Sequence, residues 1–468
     1  MLIMSAMHLS KLLRELLQTD IDVDVNGLCL HADLVQPSEV FLALQGQSSH
    51  GIDYVEQAIG RGCSAVLIED REAELSVPSI RIDGLSTHLQ HLASTFYTGA
   101  TQVTVIGITG TNGKTSVAHF ISQLLDGLGV TNAVIGTLGI EKAPIESKHT
   151  TPDIISLYKA LDYYHQHDIN TAVLETSSHA LDQNRIQGLN IRHAVFTNLT
   201  QDHLDYHQSW ENYRTAKAKL FTLETLEQVV LPSEDENTTY FSGLSNRAQV
   251  QLYGLDMLQD IRPNAHGFLL NLDNYVFELP LLGEFNLLNT MAALTSVEAM
   301  GFAREKIIPL LAKLRAPTGR MQQINGQKIW VDYAHTPDAI AQAITTLKQH
   351  YPDHQVRIVF GCGGERDQDK RAKMGKVAND LADSIVLTND NPRGEDPEDI
   401  VQQILSGISE MDKVDITLDR QLAIETAVKT LKEGECLLIA GKGHENTQQF
   451  GDTTLEFNDI TTAQHAAN

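Results

Sequence analysis

The sequence predicts an α/β protein of three domains: a small N-terminal α/β domain, a central domain whose mainly parallel sheet carries a P-loop-type turn, and a C-terminal Rossmann-like doubly wound sheet. Three observations lead there. A chain of 468 residues exceeds one ordinary domain. Short β-branched runs recur between helical patterns, as parallel strands joined by crossover helices require. One such run, TVIGIT at 104–109, opens directly into the glycine turn GTNGKT at 110–115 and then a helical pattern.

That last stretch organises the chain. A strand, a glycine loop and a helix N-terminus form a cradle in which backbone N–H groups and the helix dipole hold phosphate. Gly110, Thr111, Asn112, Gly113, Lys114, Thr115 and Ser116 line it. Lys114 is placed to reach the β- and γ-phosphates and the Thr115 hydroxyl to ligate Mg²⁺. The general pattern wants a glycine five residues before Gly113, where Ile108 stands between Gly107 and Gly110. Strand, loop and helix still fall in register, so ATP is the expected nucleotide rather than a chance glycine-rich turn.

In chain order, residues 1–98 form the first expected domain. MLIMSAMHLSKLLRELLQTD reads as an amphipathic helix without a signal-peptide core, followed by strands VFLALQG, SAVLIED and PSIRID around a helix YVEQAIGRG. Residues 99–314 form the second, with strands TVIGIT, NAVIGT, TAVLE and HAVFTNL, strand-like pieces FLLNL and YVFELPL, and a helix from Asn286 to Met300. Residues 315–468 form the third, with strands KIWVDYA, QVRIVFGCGG, DSIVLTNDNP, VDITLD and ECLLIAGKGH.

Composition narrows the classes. The formal charge is 35 − 60 = −25, which argues against nucleic acid or anionic lipid as partners. No apolar run is long enough for a membrane span. Cys29, Cys63, Cys362 and Cys436 show no CxxC spacing and read as reduced thiols of a cytoplasmic protein.

Ligands of such sheets sit beyond the carboxyl ends of the strands, and polar clusters fall there. Glu175 ends TAVLE and offers a hard oxygen for Mg²⁺ or a helix cap. His203 lies in NLTQDHLDYH, whose aspartates also fit as helix caps. On the helix YRTAKAKLF, Tyr213, Lys217, Leu220 and Phe221 share one face and Lys219 points away. Lys217 is then either desolvated, neutral and open to CO₂ as a carbamate, or snorkelling out of the core. In DNPR, Pro392 holds Asn391 extended and Arg393 offers a planar fork for a carboxylate, or the segment is a plain turn. Arg366 and Glu445 also follow strands and could join that pocket, which would suit a zwitterionic amino acid with an extra acid group.

Together these motifs resemble the Mur ligases, and within them the branch that adds meso-diaminopimelate to UDP-N-acetylmuramoyl-L-alanyl-D-glutamate. The resemblance spans essentially the whole chain. It rests on GTNGKTS, HTTPD (149–153), ETSSHAL, TNLTQDHLDYH, YRTAKAKLF, FNLLNTMAA, TGRM (318–321), VDYAHTPDA, FGCGGERDQDKR, DNPRGEDP and AGKGHE (440–445). It implies a carbamylated Lys217, with Thr115, Glu175 and His203, as metal ligands for two Mg²⁺ ions. It implies that Lys114 and Arg320 act in catalysis, and that Asn289, Arg320, Asp332 and His335 lie near the nucleotide. Thr150, Thr151, Ser177, Gln183 and Arg185 match contacts to the UDP-muramyl peptide. Arg366, Asp390, Asn391, Pro392, Arg393, Gly441 and Glu445 match the diaminopimelate pocket. The partners implied are small molecules only, with the protein a monomer.

One departure stands out: where the family commonly shows Asp-Ser-Arg, this chain has His31-Ala32-Asp33. The nearest rival, folylpolyglutamate synthase, shares the altered loop and the carbamylated lysine but lacks the HTTPD stretch, DNPR and the complete first domain. A lysine-adding Mur ligase would differ at Arg393. A switch or transport ATPase would leave Lys217 and DNPR without a role.

Overall fold

The computed structural model describes residues 6–468 except 20, 22, 47, 48, 148, 201 and 246, and the side chains of Leu204 and Asp205 are also outside the description. The chain divides into two compact units, residues 1–254 with 292–302 and residues 255–291 with 303–468. Both are built on parallel sheets, as the recurring β-branched runs predict.

Among the described residues the first unit holds two mainly parallel sheets and one two-stranded antiparallel ribbon. Gly27–Cys29, Glu39–Ala43, Ala65–Glu69 and Ser79–Ile82 form a four-stranded parallel sheet in chain order. The larger sheet runs in the order Gln249–Tyr253, Gln228–Pro232, Ile191–Phe196, Thr104–Thr109, Thr171–Glu175, Asn132–Gly136 and Gly139–Ile140. Its pairings are parallel except the last, which is an antiparallel edge. Thr104–Thr109 sits between two partners, and every residue of it but Thr104 is buried. A strand covered on both faces must be apolar throughout, which is why TVIGIT shows no alternation.

Thr171–Glu175 and Ile191–Phe196 end beside the loop that follows Thr109, since Glu175 registers with Ile108 and Phe196 with Thr109. The loop is therefore flanked by ETSSHAL on one side and TNLTQDHLDYH on the other. Crossover helices Lys114–Gly127 and Ile154–Gln166 each bury an apolar face, the second in the core that also holds Val105, Ala133 and Ala172. The N-terminal segment corrects one expectation. Among the described residues only Leu9–Leu12 is α-helical, and Met7–His8 instead pairs antiparallel with Asp24–Val25. Leu9, Leu12 and Leu13 are buried, so tertiary packing takes the apolar positions that suggested a longer amphipathic helix.

In the second unit the sheet order is Gln322–Gln323, Ile329–Asp332, Glu435–Ala440, Gln355–Phe360, Ser384–Leu387 and Val414–Ile416, parallel after the first strand. Two apolar layers cover its faces. The polar pieces before the helix Glu284–Ala299 are a three-stranded antiparallel sheet, Asp260–Asn264, Gly267–Leu272 and Tyr275–Leu279. Among the described residues no helix is long and apolar enough to cross a membrane. All four cysteines are free and buried, and burial pushes the Cys29 and Cys362 thiols up to about 12 and Cys436 to about 11.

Arg420 and Asp459, both fully buried, form a bidentate ion pair in the second unit, with Nε–Oδ1 at 2.8 Å and Nη2–Oδ2 at 2.6 Å. Asp459→Ala leaves an uncompensated guanidinium in the core, so it should lower the free energy of unfolding by about 3–5 kcal/mol in a urea titration.

Candidate functional site

The glycine turn in the first unit is a tight fit. Gly110 has φ 153° and a Cβ there would fall 1.9 Å from Thr197 Oγ1, so only glycine lets the loop pass the end of Ile191–Phe196. Gly113, at φ 85°, is the N-cap of the helix Lys114–Gly127. Asn198 closes the loop from the side, its Oδ1 accepting from Asn112 N at 3.0 Å and its Nδ2 donating to Asn112 O at 3.1 Å. Lys114 curls over the loop, and its Nζ donates to Gly110 O at 2.8 Å and Thr111 O at 2.9 Å.

Three expected residues converge here. Glu175 is fully buried, and its carboxylate accepts from Thr115 Oγ1 at 2.9 Å, Thr137 N at 2.9 Å and Thr137 Oγ1 at 3.1 Å. Gly136 makes room for it, since a Cβ there would lie 2.2 Å from Glu175 Oε1. Lys217 is 1% exposed and donates to the same Gly110 carbonyl at 2.8 Å. Its Nζ also stands 4.6 Å from the centroid of the Tyr213 ring, whose hydroxyl meets Thr111 Oγ1 at 2.9 Å. Burial first, and then the charge of Lys114, hold the Lys217 amine well below its ordinary pKa, against a smaller opposing pull from Asp202. The helical face is as the spacing predicts: Tyr213, Leu220 and Phe221 are buried with Lys217, while Lys219 reaches out to Asp182.

His203 borders this group, its ring centroid 6.4 Å from that of Tyr213. It has φ 52°, its Nε2 lies 3.5 Å from Asp202 Oδ2, and its ring meets His179 edge-on at 4.9 Å. Among the described residues no group of three or more His, Cys, Asp or Glu is assembled to hold a metal. The oxygen donors in place are Thr115 and Glu175, a set that fits a hard cation such as Mg²⁺.

The residues matched to the UDP-muramyl peptide form one chain of contacts. Thr150 Oγ1 accepts from Thr137 Oγ1 at 3.2 Å. Thr151 Oγ1 donates to Glu175 O at 2.7 Å and accepts from Ser177 N at 2.9 Å. Arg185 donates to Thr151 O at 2.7 Å and grips Gln183 Oε1 through Nε at 3.0 Å and Nη2 at 2.7 Å. The unusual His31 joins this chain: its Nε2 lies 3.4 Å from Asp153 Oδ2, the carboxylate that caps the helix Ile154–Gln166. Desolvation raises the Asp153 pKa, but His31 and Ser156 outweigh it and hold the carboxyl low.

The second unit places its expected residues beyond the strand ends. Asn289, on the helix Glu284–Ala299, donates to Asn286 Oδ1 at 3.2 Å. Arg320 stacks 4.4 Å over the Tyr333 ring. Asp332 accepts from Met321 N at 2.7 Å and Ala334 N at 2.8 Å, and burial raises its pKa against the lowering by Arg320. His335 Nδ1 meets Tyr333 O at 2.8 Å. Asn391 donates to Glu445 Oε2 at 3.0 Å, and Gly441 lies against Asp390, where a Cβ would be 2.8 Å from Oδ2. Arg393, at φ 53°, donates to Gly364 O at 2.6 Å; Pro392 precedes it. Arg393 and Arg366 both flank Gly363, with Arg393 Nη1 3.1 Å and Arg366 Cγ 3.7 Å from a Cβ built there.

Sequence reasoning missed two buried cations among these residues. Arg371, fully buried, grips Glu395 through Nη1 at 2.7 Å and Nη2 at 3.0 Å and also donates to Gly363 O at 3.0 Å. Arg371 holds the Glu395 carboxyl down at about 2. Lys442, between two glycines, is fully buried against Asn391 and Glu445. The only signal of either lay inside motifs already quoted, FGCGGERDQDKR and AGKGHE.

His444 gives a pH handle. Burial, and then Arg320 and Lys442, push its pKa from 6.5 down to about 4. The unfolded chain therefore binds a proton that the folded chain refuses, and stability falls as pH drops from about 6.5 toward about 4. His444→Asn should flatten that slope, read as a smaller drop in melting temperature between pH 7.5 and pH 5 than the unaltered protein shows.

Comparison with known proteins gives the family. The Mur ligase middle domain matches residues 108–297, and the Mur ligase glutamate ligase domain matches residues 319–443. A UDP-N-acetylmuramoyl-L-alanyl-D-glutamate--2,6-diaminopimelate ligase of Xanthomonas campestris pv. campestris (strain 8004) is 38% identical, over 98% of this chain and 97% of its own. A solved structure of an enzyme with that same name is 33% identical, with a TM-score of 0.65 over 98% of this chain and 99% of its own. A Mycobacterium tuberculosis folylpolyglutamate synthase solved with ADP and AMPPCP shares the fold at 20% identity and a TM-score of 0.59, over 76% of this chain and 91% of its own. With a buried lysine at the glycine turn and relatives matched over 98% of its length, the chain belongs to the Mur ligase family.

Proposed function

We propose that the protein is an ATP-dependent ligase that joins meso-2,6-diaminopimelate to UDP-N-acetylmuramoyl-L-alanyl-D-glutamate through an acyl phosphate, a cytoplasmic step in peptidoglycan precursor synthesis. One observation carries the reading: Lys217, desolvated and bound to the same carbonyl as Lys114, is placed beside the phosphate loop, where a simple nucleotide hydrolase has no use for it. Relatives that bear this activity in their names match 98% of the chain.

The division of labour follows the three expected domains: residues 1–98 for the UDP-muramyl substrate, 99–314 for ATP and 315–468 for the amino acid. Backbone N–H groups of 110–115 receive the phosphates at the helix N-terminus. Lys114 follows the β- and γ-phosphates, and Asn289, Arg320, Asp332 and His335 are assigned to the nucleotide by the family resemblance. Thr150, Thr151, Ser177, Gln183 and Arg185 orient the peptide. The neutral amine of Lys217 adds to the carbon of CO₂, forming an N–C bond and releasing a proton to solvent. The carbamate oxygens, with Thr115, Glu175 and His203, would hold Mg²⁺, which when bound supplies charge neutralisation between carboxylate and phosphate.

In the reaction the D-glutamyl γ-carboxylate attacks the γ-phosphorus, the bond to ADP breaks, and an acyl phosphate forms. The L-centre amine of diaminopimelate then attacks the acyl carbon, loses its proton and expels phosphate. The chain's contribution is positioning and charge. Arg393 and Arg366, beside the Gly363 turn, suit the distal carboxylate that distinguishes diaminopimelate from lysine. The protein works as a monomer in this scheme.

The deciding experiment is phosphate release with ATP, Mg²⁺ and UDP-muramyl dipeptide against a panel of amino acids. Diaminopimelate alone should stimulate it; stimulation by lysine instead removes the specificity, and release independent of any amino acid removes the ligase. Arg393→Ala should raise the KM for diaminopimelate by about 10- to 100-fold, about 1.4–2.8 kcal/mol, in steady-state assays. Lys217→Ala should abolish nearly all turnover, and added acetate, which mimics the carbamate, should restore part of it.

A further inference from the structure

We propose that Lys442 is a positioning residue of the amino-acid pocket: a cation sealed beneath it that fixes the direction in which Asn391 and Glu445 face, and thereby sets affinity for the incoming amino acid. This rests on the pocket assignment above and deepens it.

A lysine between Gly441 and Gly443, in the loop after the strand Glu435–Ala440, belongs by its residue type in solvent. It is instead 0% exposed. Its Nζ donates to Glu445 Oε2 at 2.7 Å and Asn391 Oδ1 at 3.0 Å, and lies 3.9 Å from Asp390 Oδ1. All three neighbours belong to the pocket expected to bind diaminopimelate. Burying an ammonium is costly, and a group kept there at that cost constrains whatever surrounds it.

The constraint is directional. An ammonium has three donors and no acceptor, so only oxygens can face it. Asn391 must therefore turn its carbonyl oxygen toward Lys442, and its amide nitrogen then donates to Glu445 Oε2 at 3.0 Å. Gln449 N agrees independently, donating to the same Asn391 Oδ1 at 3.0 Å. Without Lys442, Asn391 Oδ1 is left with the Gln449 N donor alone, and the Glu445 carboxylate loses one of the two donors that aim it.

Charge points the same way. Asp459 already has Arg420 as a bidentate partner, so Lys442 is not needed to neutralise it. The acids left to Lys442 are Asp390 and Glu445. Two carboxylates and one ammonium leave one net negative charge, which matches a single ligand ammonium, while Arg393 and Arg366 stand ready for carboxylate.

Lys442→Met keeps the length of the stem and removes the charge and all three donors. The KM for diaminopimelate should rise about 10-fold or more, while the KM values for ATP and UDP-muramyl dipeptide stay within about twofold. A Lys442→Ala variant refolded and assayed with ethylammonium should regain diaminopimelate affinity as the ammonium concentration rises; it also serves if the methionine variant does not fold. An unchanged KM for diaminopimelate, a rise shared equally by all three substrates, or no response to ethylammonium overturns the inference. Failure of the unaltered protein to use diaminopimelate overturns instead the reading on which it rests.

Discussion

Two ammonium groups meet at one carbonyl oxygen, that of Gly110, and the chemistry of the first unit depends on it. Desolvation disfavours any charge there, the second charge adds to that, and the relief is for one amine to give up its proton. Lys217, the more deeply enclosed, is the one held low. The sheet makes the meeting possible. Thr104–Thr109 sits between two strands whose ends present Glu175 on one side and Thr197–Asn198 on the other, so the loop has no alternative path. The cradle, its acid and its amine are thus consequences of one strand order.

The second unit solves the opposite problem, that of gathering opposite charges without letting them collapse onto one another. Arg420 is matched to Asp459, Arg371 to Glu395, and Lys442 to Asn391 and Glu445. Each of these buried cations has a defined geometry, whereas the arginines beside Gly363 include one held by a backbone oxygen. Arg393 donates to Gly364 O. A pocket of this kind keeps planar donors available for a ligand while its acids stay aimed.

Much of this was legible in the sequence because the signals were local. TVIGIT, TAVLE and HAVFTNL are buried runs next to loops, and their order relative to the glycine turn already placed Glu175 near Thr115. The lysine face of YRTAKAKLF could be counted off at helical spacing and stands as counted. The N-terminal stretch misled because Met7–His8 pairs as a strand and only Leu9–Leu12 forms a one-turn helix among the described residues. Lys442 and Arg371 were not legible as structural cations, since their partners lie up to 51 residues away and nothing in a glycine-flanked lysine says that it is enclosed. The His31–Asp153 contact was hidden for the same reason: the departure from the family pattern was visible, its partner across the first unit was not.

The four cysteines carry a practical corollary. Each is enclosed, and burial keeps the thiols of Cys29, Cys362 and Cys436 far from the thiolate that reacts. Maleimide and iodoacetamide reagents will therefore find little to attack on the folded protein. A single cysteine engineered onto an exposed position would take a fluorophore or spin label cleanly, with no need to strip the native sulfur from the chain.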